Sequence, residues 1–173
     1  MRLTLNEVTA RLINVNPRPE LHGEDKKPAA DLKFHTLLPN SELAQFHPML
    51  KAMLYVKDTD QADLVSQNDP EHATALRFPL LCRKALSWES EIVGGKVTIH
   101  HGISAKSHLV LDGAIVNEFR LEPLQGGTVG ITFRVQIHPD EKTAGKLCML
   151  TGTDMTISVE PPAEEQDALK EAA

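Results

Sequence analysis

Aromatic residues are scarce in this chain: five Phe, one Trp and one Tyr among 173 residues. A surface that holds single-stranded nucleic acid by stacking needs aromatic faces beside Lys and Arg. Phe34, Trp88, Phe119 and Phe133 fall on apolar phases of the sequence and are expected in the core, which leaves little for such a surface. Cysteine is scarcer still. Cys82 and Cys148 are far apart and form no Cys-x-x-Cys pair, which argues against a structural zinc site. Both are expected as buried thiols. No apolar run approaches the roughly 18 residues that span a bilayer, and the stretch from Met1 to Glu7 has no apolar signal region. The expectation is a cytoplasmic protein with no membrane partner and reduced cysteines.

Positive charge is also in deficit. Eighteen Lys and Arg face 24 Asp and Glu, a formal net charge of −6, which excludes a strongly basic duplex-DNA binder. The deficit is uneven. Glu160, Glu164, Glu165, Asp167 and Glu171 stand against Lys170 alone, so residues 160–173 carry most of it and the body is nearly neutral. The expected organisation is a single β-rich domain over 1–160 and an acidic appendage over 161–173, opened by Pro161 and Pro162.

Catalytic motifs are missing as well. Gly102-Ile103-Ser104-Ala105-Lys106 lacks the second glycine of a nucleophile elbow. There is no Walker loop, no dinucleotide-binding glycine pattern and no His-Glu-x-x-His. His100, His101 and His108 are close in sequence, but neighbours on a strand point to opposite faces. Only His101 and His108 are placed to meet across a turn. Glu20, His22, Glu24 and Asp25 lack the ligand ladder of a calcium loop. Neither a metal nor a cofactor is expected, and an enzyme is the least favoured class.

What the chain does have is period-two hydrophobicity. Leu3 and Leu5 alternate on one phase and Val8, Ala10 and Leu12 on the other, which predicts a bulge or break at Asn6-Glu7. Residues 16–28, with three prolines and a glycine, read as a loop. Ala30, Leu32 and Phe34 alternate with Asp31, Lys33 and His35 as a half-buried strand. Residues 41–55 read as one short helical insertion, capped at Asn40 or Ser41, and 57–75 as a polar connection. Beyond 76 the pattern is all strand. Gly94-Gly95, Asp112-Gly113 and Gly126-Gly127 read as hairpin turns. Val129, Ile131, Phe133, Val135 and Ile137 form the cleanest strand, and Leu147 with Met149 reads as another. The fold class is mainly β: an antiparallel sandwich or an OB-like barrel.

The stretches Asn16-Pro17-Arg18-Pro19-Glu20-Leu21-His22-Gly23-Glu24, Pro28-Ala29-Ala30-Asp31-Leu32-Lys33 and Gly126-Gly127-Thr128-Val129 resemble a family of short, uncharacterised phage and prophage proteins. Genes of that family often lie among those for phage DNA metabolism. The resemblance implies an intracellular protein of an infected bacterium that handles DNA or binds a phage or host protein. It carries no catalytic residue.

Three readings follow. The first is a non-enzymatic β-domain that binds single-stranded DNA, or a recombination or replication partner. Its candidate contacts are Arg18, Lys26, Lys27, Lys33, Lys96, Arg120 and Arg134. The second is a protein-binding inhibitor of a host defence or nucleic-acid enzyme, suggested by the acidic balance. The third is a virion or assembly β-sandwich, which predicts a homo-oligomer.

Overall fold

Six strands close on themselves. In the computed structural model, which describes residues 3–22, 25–57, 73–102 and 107–162 (the side chains of 21, 22, 25 and 26 excepted), the long strands are β1 (Leu5–His22), β2 (Asp25–Pro39), β6 (Ile92–His100), β7 (Leu109–Leu124), β8 (Thr128–Ile137) and β9 (Asp154–Glu160). They pair antiparallel in the order β1-β2-β8-β7-β6-β9, and β9 returns to β1. The result is an OB-like closed barrel. One extra strand, β5 (Leu86–Trp88), lies against β7 at Phe119–Leu121. Closure removes the free edges that an open sheet exposes.

Alternation decides what fills the barrel. Val129, Ile131, Phe133, Val135 and Ile137 of β8 are all buried, as are Ala30, Leu32 and Phe34 of β2. Phe34 and Phe133 face each other in register with ring centroids 5.7 Å apart. Phe119 lies 6.2 Å from Phe133, and Phe46 closes the stack edge-on to Phe119. The scarce aromatics are therefore mostly spent inside, as the sequence phases predict.

The expected break in β1 is a bulge. Register slips between Leu5 and Val8, and Glu7 takes a left-handed φ of 48°. Other turn signals behave differently from expectation. Gly94-Gly95 is a bulge within β6, and Asp112-Gly113 lies inside β7, with Gly113 at φ 68°. Glycine serves there to bend a continuous strand around the barrel rather than to reverse it. Of these three signals, Gly126-Gly127 alone makes a hairpin turn.

Of the expected loop over 16–28, the described residues 16–22 and 25–28 are strand. They complete a two-stranded ribbon in which Pro17 pairs with Ala30, Pro19 with Pro28 and Glu20 with Lys27. Pro17 and Pro19 are two residues apart, so their missing N–H groups face the same side. That side is the ribbon's outer edge, beyond the end of β9 pairing at Arg11–Asp154, where no ladder bond is lost. The prolines that suggest a loop instead keep this protruding edge from pairing with other chains.

The helical insertion, expected over about 41–55, spans 40–54 in two pieces. A 3-10 turn (Asn40–Gln45) precedes α1 (Leu50–Leu54), and Tyr55 already belongs to β3 (Tyr55–Val56), which pairs with β4 (Ala75–Leu76). Neither Asn40 nor Ser41 caps the turn. Pro39 is the N-cap, and the Asn40 side chain donates to the Ala73 carbonyl. Most of the polar connection, residues 58–72, and the appendage over 163–173 lie outside the described residues. Leu147 and Met149 belong to a helix, α2 (Glu141–Met149), rather than a strand. Asp140 caps it by accepting from the Thr143 backbone N–H at 2.6 Å, and Leu147 alone among its residues is buried. Cys82 is buried, but Cys148 stands exposed on α2, so only one thiol is in the core.

Leu43, Phe46, Leu50, Leu54 and Tyr55 plug one end of the barrel. The Tyr55 hydroxyl accepts from the Leu124 N–H at 3.1 Å and donates to the Thr128 carbonyl at 2.6 Å, so it clamps the base of the β7–β8 hairpin. Burial pushes its pKa up. The turn itself rests on Thr74, whose carbonyl accepts from both Gly126 and Gly127. Gly127 has φ 78°, and a Cβ there would sit 3.0 Å from the Thr74 methyl.

Tyr55→Phe is expected to cost about 1–3 kcal/mol, because it strands the Leu124 N–H in a dry site; a urea melt with an unchanged midpoint would refute the clamp. In thiol labelling of the folded protein, Cys148 should react promptly. Cys82, whose pKa burial raises, should react only on unfolding.

Candidate nucleic-acid interface

Alternation that sends apolar residues inward sends the others out, and on the β1-β2-β8-β7 side they form a polar sheet face. Lys33 of β2 lies directly opposite Arg134 of β8, and Asn117 of β7 opposes Arg134 from the other side. Like charges directly opposite on neighbouring strands repel. A bulge in β7 modifies this. Register slips between Asn117 and Arg120, and Glu118 takes φ 52°. The extra residue places Asn117 and Glu118 together beside Arg134. The Arg134 guanidinium donates to Asn117 at 3.1 Å and pairs with Glu118 at 3.0 Å.

Hydrogen bonds continue across the barrel. Asn117 donates to Gln136 at 3.4 Å, and Gln136 donates to Asp31 at 3.3 Å. Arg18 donates to the two oxygens of Asp31 at 3.0 and 3.3 Å and also pairs with Glu20. Glu20 in turn meets His138 at 2.7 Å. The Asp31 pairing raises the Arg18 pKa. The bond from His138, then the one from Arg18, holds the Glu20 carboxyl below its ordinary value of 4.5.

Beside this ladder lies a cleft of about 210 Å³ lined by Asn14, Asn16, Asp31, Lys33, Glu118, Arg120 and Arg134, with Leu32 and Phe133 at its floor. Three cations and two carboxylates face it. A second hollow shares Glu118 and Arg120 with the cleft and adds Ser87, Glu89 and the half-buried Trp88. Among the described residues neither Lys33 nor Arg120 has an ion-pair partner.

Of the seven cations singled out in the sequence, then, Lys33, Arg120 and Arg134 come together. Arg18 is near but already bound to Asp31 and Glu20. Lys27 stands on the ribbon and lines a separate hollow with Pro17, Pro19, Pro28, Pro139 and Ala144. The Lys26 side chain lies outside the described residues. Lys96 is on β6, 4.0 Å from Glu160, and does not line the cleft. Sequence reasoning passed over Asn117 and Glu118, whose position depends on the bulge. It also passed over Lys51, Lys57 and Arg77, which line a third hollow with Pro48, Ala52, Tyr55, Val56 and Ala73.

The histidines pair differently from expectation. His100, not His101, meets His108, with ring centroids 4.7 Å apart, and the His100 Nε2 lies 2.8 Å from the Ser158 hydroxyl. Among the described residues no three metal-ligating side chains converge. No described helix is long and apolar enough to cross a membrane. No protein-family profile, curated protein or solved structure matches the chain.

Because the Glu20 pKa is depressed in the fold, its contribution is present above about 4.5 and fades as the pH falls through the folded value. Glu20→Gln should therefore lower the urea midpoint at pH 7 and converge with the wild type as the pH falls through the folded value. A gap that stays constant with pH would show that the carboxylate's charge plays no part.

Proposed function

We propose that the protein is a non-enzymatic, phage-type OB-like barrel that acts in DNA metabolism in the host cytoplasm. In this reading the outer face of β2, β8 and β7 holds single-stranded DNA. The observation that carries it is the in-register pair Lys33 and Arg134, with Arg120 beside them on one cleft. Glu118 offsets part of the repulsion between these two cations in the free protein, and a phosphate between them offsets the rest. Trp88, half-buried in the adjoining hollow that Arg120 also lines, supplies an aromatic surface. The resemblance to phage proteins encoded near DNA-metabolism genes agrees with this assignment.

A partner protein is the second reading. Phe78, Leu80 and Leu81 follow β4 and expose large apolar surface, Leu80 to 77%. Such exposed apolar groups favour a protein contact, including an inhibitory one on a host enzyme or a recombination or replication partner.

Fluorescence anisotropy with labelled oligonucleotides across a salt series separates the two. Three phosphate contacts predict a slope of log affinity against log salt of about −2. Lys33→Glu and Arg120→Glu should each weaken binding at least about tenfold, whereas Lys96→Glu should change it little. No binding even at low salt would end the DNA reading. A host protein retained by the wild type and lost with Leu80→Asp and Leu81→Asp would then favour the second.

A further inference from the structure

One hollow among the described residues is more one-sidedly charged than the cleft between Lys33 and Arg134. It lies at the plugged end of the barrel, encloses about 390 Å³ and is lined by Lys51, Lys57 and Arg77, with Pro48, Ala52, Tyr55, Val56 and Ala73 as its apolar part. The cleft mixes three cations with Asp31 and Glu118. Among the described residues that line the plug hollow there is no carboxylate. Among the described residues none of its three cations forms an ion pair either.

The backbone brings these cations together from three places in the chain. Lys51 sits on α1, and its carbonyl accepts from the Tyr55 N–H where the helix turns into β3. Lys57 follows β3 directly, and Arg77 follows β4 directly. The short β3–β4 ladder sets Tyr55 opposite Leu76 and Val56 opposite Ala75. The Arg77 N–H then donates to the Leu54 carbonyl at 2.8 Å, which ties the Arg77 backbone to the end of α1. Tyr55 is itself fixed to the β7–β8 hairpin through its hydroxyl. The hollow is thus built on anchored backbone.

We infer that this hollow is a binding site for the phosphate group of a nucleotide, whether free or at the end of a nucleic-acid strand. Three cations with no counter-charge among the described residues repel one another, and an anion between them converts repulsion into attraction. Arginine adds a planar fork that matches phosphate oxygens. The apolar wall of Pro48, Ala52, Val56 and Ala73 suits the less polar body of the same ligand. The volume is at the lower end of the roughly 300–1,000 Å³ typical of small-ligand pockets. The site is separate from the proposed DNA cleft, since the two share no lining residue.

The test is calorimetric titration of the full chain with dAMP, with inorganic phosphate and with a short oligonucleotide carrying a 5′ phosphate, each at low salt. The expected result is binding of dAMP or of the phosphorylated end, weaker binding of inorganic phosphate, and a loss of at least about tenfold in Lys51→Glu and Arg77→Glu. Lys51→Gln and Arg77→Gln, which remove charge without reversing it, should show a smaller loss in the same order, and thermal melts verify that each variant folds. Preference for dAMP assigns a free nucleotide; preference for the phosphorylated oligonucleotide over its 5′-hydroxyl counterpart assigns a strand end. Lys33→Glu should leave dAMP binding unchanged, which keeps this site distinct from the cleft. Three results would overturn the assignment: no binding of any of these probes, binding that the Lys51 and Arg77 variants leave intact, or binding that emerges only after Asp58, Asp60 and Asp63 are changed to Asn. The last would assign the cations to the chain's own carboxylates.

Discussion

Barrel closure depends on β7 serving two sets of neighbours along sixteen residues. Its first half pairs with β6 and its second half with β8, and β5 takes the edge that β6 leaves. A flat strand cannot do this, because twist and pleat alone would carry its far end away from β8. Gly113 at φ 68° and the bulge at Glu118 supply the bend. The same bulge resets the phase of the strand, so Val116 and Phe119 both face inward although they are three residues apart. Without that slip, the second half of β7 would turn its apolar side chains to solvent.

The outer face inherits its chemistry from this geometry. The register that stacks Phe34 on Phe133 inside places Lys33 against Arg134 outside. The bulge that closes the barrel is also what delivers Glu118 to Arg134. The ladder from Glu118 to His138 keeps most of the face electrically quiet and leaves Lys33 and Arg120 as its uncompensated cations among the described residues. Exposed pairs of this kind contribute little to stability individually. Their main effect is to orient Arg134 and Asp31 on the rim of the cleft.

Much of the fold is legible in the residues. The alternation from Val129 to Ile137 marks a strand with one buried side, and the Leu3–Leu5 to Val8–Leu12 phase change marks the first bulge. The prolines of 16–28 mislead, because a missing N–H matters only where a neighbouring strand would use it. The ribbon puts those positions on an open edge. Gly94-Gly95 and Asp112-Gly113 mislead for a related reason. A positive φ bends a strand as readily as it reverses one, and the choice depends on whether a partner strand lies alongside. The α2 helix had a local signal in Asp140, a favoured N-cap residue, but the apolar pair Leu147 and Met149 fits period two.

The sequence by itself determined that this is a mainly β chain with a strongly apolar core, few aromatics to spare and a near-neutral body. Those properties follow from composition and from a side-chain period that holds wherever the strand goes. Tertiary structure alone decided barrel over sandwich, because closure depends on how far each strand bends and which neighbour it reaches. It also decided which cations meet. Lys33, Arg120 and Arg134 are scattered over about a hundred residues of chain, whereas Lys51, Lys57 and Arg77, set about one hollow, come from a single shorter stretch. Cross-strand register and bulges, not sequence distance, bring each set together.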